Sequence, residues 1–165
     1  MQAAARGIRL RVVDTRAWVR TDPQLLRRIL QNFLANALRY TRAGSILLGV
    51  RRDGDVLRIE VHDSGPGIAA DQQRAIFEEF HRGTQVSPWG EKGLGLGLSI
   101  CERIARLLGH RLDLRSRPGH GSVFSIDVAR AVPATVAREA PQARAVGLVA
   151  DLHGARSASA RCCAT

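Results

Sequence analysis

The segment that decides the fold is Val56–Gly67, which reads Val-Leu-Arg-Ile-Glu-Val-His-Asp-Ser-Gly-Pro-Gly. Leu57, Ile59 and Val61 alternate with polar residues, which predicts a β-strand with one buried face. Asp63 continues the buried series, so we expect its carboxylate to point toward the core where the strand ends. A buried carboxylate is costly unless a donor meets it. The glycine-rich turn that follows indicates either an Asx-turn leaving the strand or a ligand donor, such as the exocyclic amine of a base.

Further strands and helices flank this segment. The longest helix starts at Pro23, which suits the first helical position, with Thr21 or Asp22 as its cap. Because helices alternate with pairs of strands, we expect an α+β fold, a two-layer α/β sandwich rather than a doubly wound parallel sheet. The predicted strands are Ile8–Val13, Ser45–Arg52, Val56–His62, Arg111–Arg117 and Val123–Ala129, and the predicted helices are Pro23–Tyr40, Ala70–Phe80 and Gly95–Leu108.

The length and composition fit one domain with a tail. The chain has 165 residues, of which 45% are hydrophobic, enough for a single core. We expect residues 1–130 to form the domain. Residues 131–165 are rich in Ala, Arg, Pro and Ser and lack periodicity, which predicts a linker or disordered tail. The three cysteines, two of them adjacent, favour reduced thiols over a disulfide framework.

The chain is strongly basic, with 25 Lys and Arg against 15 Asp and Glu and a formal net charge of +10. All but one of the basic residues are arginine. No helix-turn-helix, zinc-ligand spacing or aromatic RNA-binding pattern accompanies the charge, so we expect no nucleic-acid partner. Neither a signal peptide nor an apolar run of membrane-spanning length is present. These features favour a cytoplasmic location, with a membrane anchor in a longer parent protein left open.

Four polar residues follow one strip of the long helix. Asn32, Asn36, Arg39 and Tyr40 are spaced by four, three and four residues, which places them on neighbouring turns. Asn36 and Tyr40 border the apolar stripe, where a buried amide needs a partner. A metal ion or a polar ligand group is one candidate partner, since amide oxygens suit Mg²⁺. Hydrogen bonding to neighbouring backbone is the alternative.

A second glycine-rich segment, Gly93–Ser99, opens the last predicted helix. Small residues beside a helix N-terminus expose backbone N–H groups, an arrangement that binds phosphate. The segment is neither a Walker A loop nor a dinucleotide-binding fingerprint, because it lacks Gly-Lys-Ser/Thr and does not follow a strand. The alternative is a hinge whose leucines pack on the core.

Together and in this order, these signals resemble the catalytic ATP-binding domain of sensor histidine kinases, in the superfamily that includes gyrase and MutL. The resemblance extends over about residues 7–129. It implies a Bergerat ATP-binding fold, in which helices cover one face of a mixed, mostly antiparallel sheet. The matching motifs are an N box at Asn32–Thr41, glycine boxes at Asp63–Ile68 and Gly93–Leu98, an F box at Ile76–Gly83 and a closing hairpin at Gly119–Ser122 followed by Phe124.

The resemblance implies a role for each matching position. Asn36 would coordinate the Mg²⁺ that bridges the ATP phosphates, with Asn32 in support. Arg39 would reach toward phosphate, which makes Asn36 and Arg39 the expected catalytic residues. Asp63 would accept a hydrogen bond from the adenine N6 amine, and Tyr40 would stack beside the base. The other implied nucleotide contacts are Gly65, Gly67, Ile68 and Ser122 around the base, Phe80 and Arg82 at one end of a mobile lid, and Gly93, Leu94, Gly95, Leu96, Gly97 and Leu98 in the phosphate loop.

The residue at position 32 bears on the reaction. Relatives that hydrolyse ATP carry a glutamate there as a general base for water, whereas an asparagine amide cannot take a proton at neutral pH. The resemblance therefore favours transfer of the γ-phosphoryl group to a histidine over ATP hydrolysis. A degenerate ATP-sensing module and an ATPase of the same fold are the alternatives.

The acceptor histidine is not found in this sequence. The family's motif places an acidic residue directly after the histidine and a proline five positions after it, and none of the five histidines fits. The resemblance thus implies a partner domain for dimerisation and histidine phosphotransfer, expected before residue 1, and a response-regulator receiver domain downstream. We expect this chain to be monomeric and unable to phosphorylate itself, and its tail is compatible with a connection to a receiver domain, as in hybrid kinases.

Overall fold

The structure is a computed structural model that describes residues 7–79, 95–131 and 144–147. Within these ranges, the chain forms two α-helices, one short 3₁₀ helix and seven strands. The strands are β1 (Ile8–Val12), β2 (Trp18–Thr21), β3 (Gly44–Asp53), β4 (Val56–Asp63), β5 (Arg111–Arg117), β6 (Gly121–Ala131) and β7 (Arg144–Gly147). The helices are α1 (Pro23–Tyr40) and α2 (Gly97–Leu107), with a 3₁₀ turn at Ala75–Phe77.

The strands form one mixed sheet with the order β1-β3-β4-β6-β2-β7, and β5 pairs with β6 beside this path. Only β1 and β3 run parallel among the described pairs, and the other pairs are antiparallel. The predicted α+β sandwich with a mixed, mostly antiparallel sheet is confirmed. In the register, Asp63 at the end of β4 lies between Ile46 on β3 and Ser122 on β6.

The core fills the space between one face of the sheet and the two α-helices. Asp22 caps α1 as predicted, since its Oδ1 accepts hydrogen bonds from the backbone N–H groups of Gln24 and Leu25. Phe33 of α1 packs on Phe124 of β6, with ring centroids 5.4 Å apart. The fully buried residues of α1 are Leu26, Ile29, Phe33 and Ala37, and those of β4 facing the core are Leu57, Ile59 and Val61.

The opposite face of the sheet carries charged pairs. Arg58 of β4 forms a bidentate ion pair with Asp127 of β6, in which its Nε and Nη2 atoms donate to the two carboxylate oxygens at 2.7 and 2.9 Å. Glu60 is almost fully buried between His62 and Arg115, each 2.9 Å from one of its carboxylate oxygens. Arg58, Asp127, Glu60 and Arg115 therefore each have a partner of opposite charge on this face.

Three local features differ from the expectation. Strand β2 was not predicted, because four residues are too few to give a periodic signal. The described part of the predicted helix Ala70–Phe80 consists of turns and the 3₁₀ helix, since most of its backbone hydrogen bonds span three residues rather than four. Strand β7 lies inside the predicted tail and pairs with β2. The domain boundary itself stays a prediction, and no helix in the described ranges is long and apolar enough to cross a membrane.

Candidate functional site

The turn after β4 holds Asp63 as its first residue. The Asp63 Oδ1 atom accepts a hydrogen bond of 2.8 Å from the backbone N–H of Gly65, so the Asx-turn, one of the two interpretations of this segment, is present. Burial raises the pKa of Asp63, and backbone N–H groups of Gly65 and Ser122 oppose that increase. The carboxylate is thus held in a poorly solvated position, where a further hydrogen-bond donor would stabilise it.

Hydrogen bonds fix this turn to the strands on both sides. On the β3 side, Ser64 donates its N–H to the Ser45 carbonyl at 3.1 Å, and Ser45 N–H donates to Ser64 Oγ at 2.9 Å. On the hairpin side, Ile68 N–H donates to Ser116 Oγ at 2.8 Å, and Gly119 N–H donates to the Pro66 carbonyl at 2.7 Å. The backbone of the turn therefore has its shape without any ligand.

Two glycines allow the turn and the β5–β6 hairpin to approach each other. Gly67 has a φ of 71°, and a Cβ atom there would lie 2.0 Å from the carbonyl oxygen of Arg117. Gly121 has a φ of 90°, and a Cβ atom there would lie 1.9 Å from the carbonyl oxygen of Asp63. A side chain at either position would collide with backbone, so only glycine fits.

The C-terminal end of α1 reaches the same turn. A Cβ atom added to Gly65 would lie 2.8 Å from Asp63 Oδ1, 3.3 Å from Thr41 Oγ1 and 3.6 Å from the Tyr40 carbonyl oxygen. A side chain at position 65 would collide with Asp63 Oδ1, so the glycine lets the Asp63 turn pack closely against the end of the helix. Tyr40 itself is partly buried next to this junction.

The other residues of the predicted helix strip lie closer to α2. Asn32 Nδ2 donates to the Arg28 carbonyl at 3.0 Å, which is the local backbone bond given as the alternative. Its Oδ1 atom, however, lies against the start of α2, 2.7 Å from where a Cβ of Gly97 would stand. Asn36 is partly buried, and its side chain makes no hydrogen bond to any residue in the described part of the chain. Arg39 is partly buried and does have an interaction partner.

Helix α2 begins beside this strip without a side-chain cap. Gly95 adopts a positive φ of 72°, and Leu96 at the N-cap position supplies no side-chain acceptor to the first turn. Ser99 turns its hydroxyl back onto the Leu96 carbonyl at 2.9 Å. The N-terminal N–H groups of α2 and the Asn32 amide therefore face a common region, in which an anion is favoured by the helix dipole.

Some predicted contacts fall outside the described residues, namely Phe80, Arg82, Gly93 and Leu94. Within the described ranges, the base-contact set Asp63, Gly65, Gly67, Ile68 and Ser122 is brought together, and Tyr40 adjoins it. Sequence reasoning missed the supporting roles of Ser116 and Gln73. Gln73 Nε2 donates to the carbonyls of both Ile68 and Ser116 at 3.0 Å.

Comparisons with known proteins find one family with a similar sequence and a similar fold. A family model for histidine kinase-, DNA gyrase B- and HSP90-like ATPases matches residues 21–131. The sensor histidine kinase RcsC of Escherichia coli K12 is 40% identical over 108 residues, which cover 65% of this chain and 11% of RcsC. The chain thus spans about a tenth of the length of that relative.

Two solved structures extend the comparison to the fold. The structure of full-length ShkA in complex with AMPPNP has a TM-score of 0.66 and 33% identity, covering 79% of this chain and 28% of ShkA. The nucleotide-free catalytic domain of the histidine kinase ThkA has a TM-score of 0.65 and 26% identity, covering 78% of this chain and 84% of that domain. The resemblance seen in the sequence motifs is confirmed. The chain belongs to the histidine kinase-, DNA gyrase B- and HSP90-like ATPases and is a catalytic ATP-binding domain of the sensor histidine kinase type.

Proposed function

We propose that this chain binds Mg-ATP between the Asp63 turn and α1, and that in a longer parent protein it transfers the γ-phosphoryl group to a histidine of a separate domain. The observation that carries this proposal is the Asp63 carboxylate, which is held in a poorly solvated position at the end of β4 by the N–H of Gly65. A hydrogen-bond donor on a flat ligand would meet the need of that carboxylate.

The chemistry of the pocket fits adenine better than guanine. An ionised carboxylate only accepts hydrogen bonds, so Asp63 pairs with the exocyclic amine of adenine and repels the carbonyl oxygen that guanine has at that position. Because Gly65 lacks a side chain, a planar ring can approach the backbone closely. Ile68, Tyr40 and Ser122 are the proposed flanking contacts, and the fixed backbone of the turn favours selectivity.

The opposite part of the site fits a magnesium ion that arrives with phosphate. No cluster of three or more His, Cys, Asp or Glu able to hold a metal occurs in the described ranges. Mg²⁺ keeps several waters and takes few protein ligands when phosphates supply the rest, so one amide oxygen, that of Asn36, is an adequate donor. When bound, Mg²⁺ neutralises charge that develops on the transferred group.

The residues of the strip then act by positioning and charge. Asn32 cannot accept a proton, so an attacking water is not activated and transfer to a better nucleophile, an imidazole, is favoured. Arg39 is the proposed cationic contact to phosphate. The free N–H groups at the start of α2 would stabilise negative charge, and Gly93, Leu94, Phe80 and Arg82 are proposed to complete the loop and lid.

The partners of the reaction are proposals of the same kind. RcsC is named a sensor histidine kinase, so we propose a dimerisation and phosphotransfer domain as acceptor and a receiver domain as the next recipient. This chain alone, incubated with γ-labelled ATP, should give no acid-labile phosphohistidine. Addition of a phosphoacceptor domain from the same parent should give a label on that domain.

The direct test is calorimetric titration of Mg-ATP and Mg-GTP into the wild type and Asp63→Asn. We expect the wild type to bind ATP with a Kd between about 1 μM and 1 mM. The Asp63→Asn variant should bind about 10- to 100-fold more weakly, because it loses a hydrogen bond to a charged acceptor. The control is Asp71→Asn, which removes the same charge at an exposed position and should leave binding unchanged. Absence of ATP binding by the folded wild type would contradict the proposal, and a steady release of free phosphate would favour the ATPase alternative.

A further inference from the structure

Strand β1 forms one edge of the sheet. It pairs with β3 on one side, and no described strand lies on its other side. The backbone N–H of Val13, directly after β1, donates to the Leu48 carbonyl of β3 at 2.9 Å. Because the backbone groups of successive residues point to opposite sides of a strand, the N–H and C=O groups of Leu10 and Val12 point away from β3. An edge with such groups can pair with a further strand.

The apolar side chains at β1 are incompletely covered. Among the described residues, the exposed large hydrophobic ones are Leu10, Val13 and Leu107, and two of these lie in or directly after β1. Leu10 is 39% exposed, although it pairs with Ile46, which faces the core and is fully buried. The layer of helices therefore ends before it covers this edge, and a further strand would bury more of the Leu10 side chain.

The charge of this edge favours an acidic partner. Arg9 and Arg11 alternate with Leu10, so they point to the face of the sheet opposite the helices. Both arginines are exposed, and neither forms an ion pair with any residue that the structure describes. A strand paired with β1 would place its own side chains beside them, and carboxylates at those positions would be stabilised.

A second copy of this chain fits the same edge poorly. Two copies of β1 paired antiparallel about Leu10 would place Arg9 of one copy opposite Arg11 of the other. Like charges directly opposite each other destabilise a pair of strands. The arginines thus oppose self-association, whereas they attract a strand that carries carboxylates at the same positions.

We propose that β1 is a docking site for an extended acidic segment of another protein, which adds to the sheet as a strand with carboxylates facing Arg9 and Arg11 and an apolar side chain facing Leu10. The backbone of Leu10 and Val12 would supply the main-chain hydrogen bonds, and the charged and apolar contacts would select the segment. This inference goes beyond the proposed function and does not depend on it, since β3 separates β1 from β4 and its Asp63 turn.

The first test uses a fluorescently labelled hexapeptide, Glu-Val-Glu-Val-Glu-Val, whose alternation matches that of β1. Fluorescence anisotropy at low salt should give a Kd between about 10 μM and 1 mM with the wild-type chain. The control peptide, Glu-Glu-Glu-Val-Val-Val, has the same composition and charge without the alternation and should bind at least about 5-fold more weakly. Equal binding of the two peptides would mean non-specific attraction of polyanions to a basic chain and would overturn the proposal.

Charge reversal identifies the residues that select the partner. The double variant Arg9→Glu/Arg11→Glu should bind the acidic peptide at least about 5-fold more weakly and should gain binding of Lys-Val-Lys-Val-Lys-Val. The matched control is Arg27→Glu/Arg28→Glu, which makes the same change of net charge at two exposed positions of α1 and should keep the preference for the acidic peptide. The same loss in both double variants would contradict a site at β1.

A backbone test leaves the protein unchanged. Strand addition uses the N–H groups of alternate peptide residues. N-methylation of one alternate set of amides in the acidic peptide should therefore abolish binding, whereas N-methylation of the other set should change the affinity by less than about 3-fold. Equal effects of the two sets would overturn strand addition. A dimer of the wild-type chain in sedimentation that Leu10→Pro separates would assign the edge to a second copy and would also overturn the proposal.

Discussion

The proposed nucleotide site has two walls that are built by different means. The base wall, Asp63–Ile68 with the β5–β6 hairpin, is fixed by backbone hydrogen bonds on both sides and by glycines in close contact. The phosphate wall, the strip Asn32–Tyr40 with the start of α2, consists of polar side chains and N–H groups on helices. Of these, the Asn32 amide donates to the Arg28 carbonyl of its own helix, and the Asn36 side chain has no hydrogen bond among the described residues.

The difference indicates that the proposed base selectivity and the proposed phosphate binding depend on separate parts of the fold. A wall whose shape is fixed in advance can reject a wrong base, since that base cannot induce a fit. In the proposed site, Asn36 would gain a hydrogen-bonding or metal partner from the ligand. Substitutions in the base wall should therefore change stability and selectivity together, whereas substitutions in the phosphate wall should change ligand binding at nearly constant stability.

The largest expected effect belongs to Gly67→Ala in the base wall. The added Cβ would overlap the Arg117 carbonyl at 2.0 Å and the residue would hold a positive φ. We expect a loss of at least about 3 kcal/mol in the free energy of unfolding, seen as a melting temperature lower by roughly 10 °C or more. The matched control is Gly119→Ala, which also has a positive φ but meets nothing within 4 Å. Gly119→Ala should lower the free energy of unfolding by only about 1 to 2 kcal/mol. Equal effects of the two variants would show that close contact does not fix the base wall.

The second prediction concerns Gly97 and Asn32 in the phosphate wall. A Cβ at Gly97 would lie 2.7 Å from Asn32 Oδ1, which is the mobile end of a side chain and can move away. Gly97→Ala alone should therefore change stability little, yet weaken Mg-ATP binding by displacing the amide.

A double-mutant cycle sharpens this expectation. In an Asn32→Ala background, Gly97→Ala should raise the free energy of unfolding by about 0.4 to 1 kcal/mol. The added Cβ no longer meets the Asn32 amide, and alanine lowers the conformational entropy of the unfolded chain. Urea unfolding of the four proteins measures the coupling. Strict additivity would mean that the Asn32 side chain is not held against α2.

The smallest expected effect is a pH dependence confined to the base wall. Because burial raises the pKa of Asp63, the folded protein binds the proton more tightly than the unfolded chain. The contribution of Asp63 to stability is thus greatest below its ordinary value of 3.8 and is lost as the pH rises through the folded pKa. Binding of ATP should show the opposite trend and weaken as the pH falls through the folded pKa.

Unfolding by urea between pH 3 and pH 7 tests this sign. The difference in stability between the wild type and Asp63→Asn should change with pH above 3.8, in favour of the variant at higher pH. The matching variant of the phosphate wall, Asn36→Ala, removes no titrating group, so its difference from the wild type should stay constant. If the difference in stability between the wild type and Asp63→Asn did not change with pH, the burial of that carboxylate would be contradicted.

Local patterns predicted those parts of the fold and site that depend on neighbouring residues. Alternation along β4 placed Asp63 toward the core, and Asp22 with Pro23 identified the start of α1. Contacts between distant residues were not predictable in this way. Ser116 holds Ile68 from 48 positions away, and the burial of Thr41 depends on how the end of α1 meets the turn at Gly65. Strand β2 was too short to show a period.

The most direct test of the two-wall account is calorimetric titration of ATP, with Mg²⁺ and with EDTA, into the wild type, Asp63→Asn and Asn36→Ala. Asp63→Asn should lower the affinity by the same factor of about 10 or more in both conditions, because its partner is the base. Asn36→Ala should lower the affinity about 10-fold with Mg²⁺ and have no effect in EDTA, since its partner is the metal. An Asn36→Ala effect of equal size in both conditions, or no effect of Asp63→Asn in either, would contradict the account.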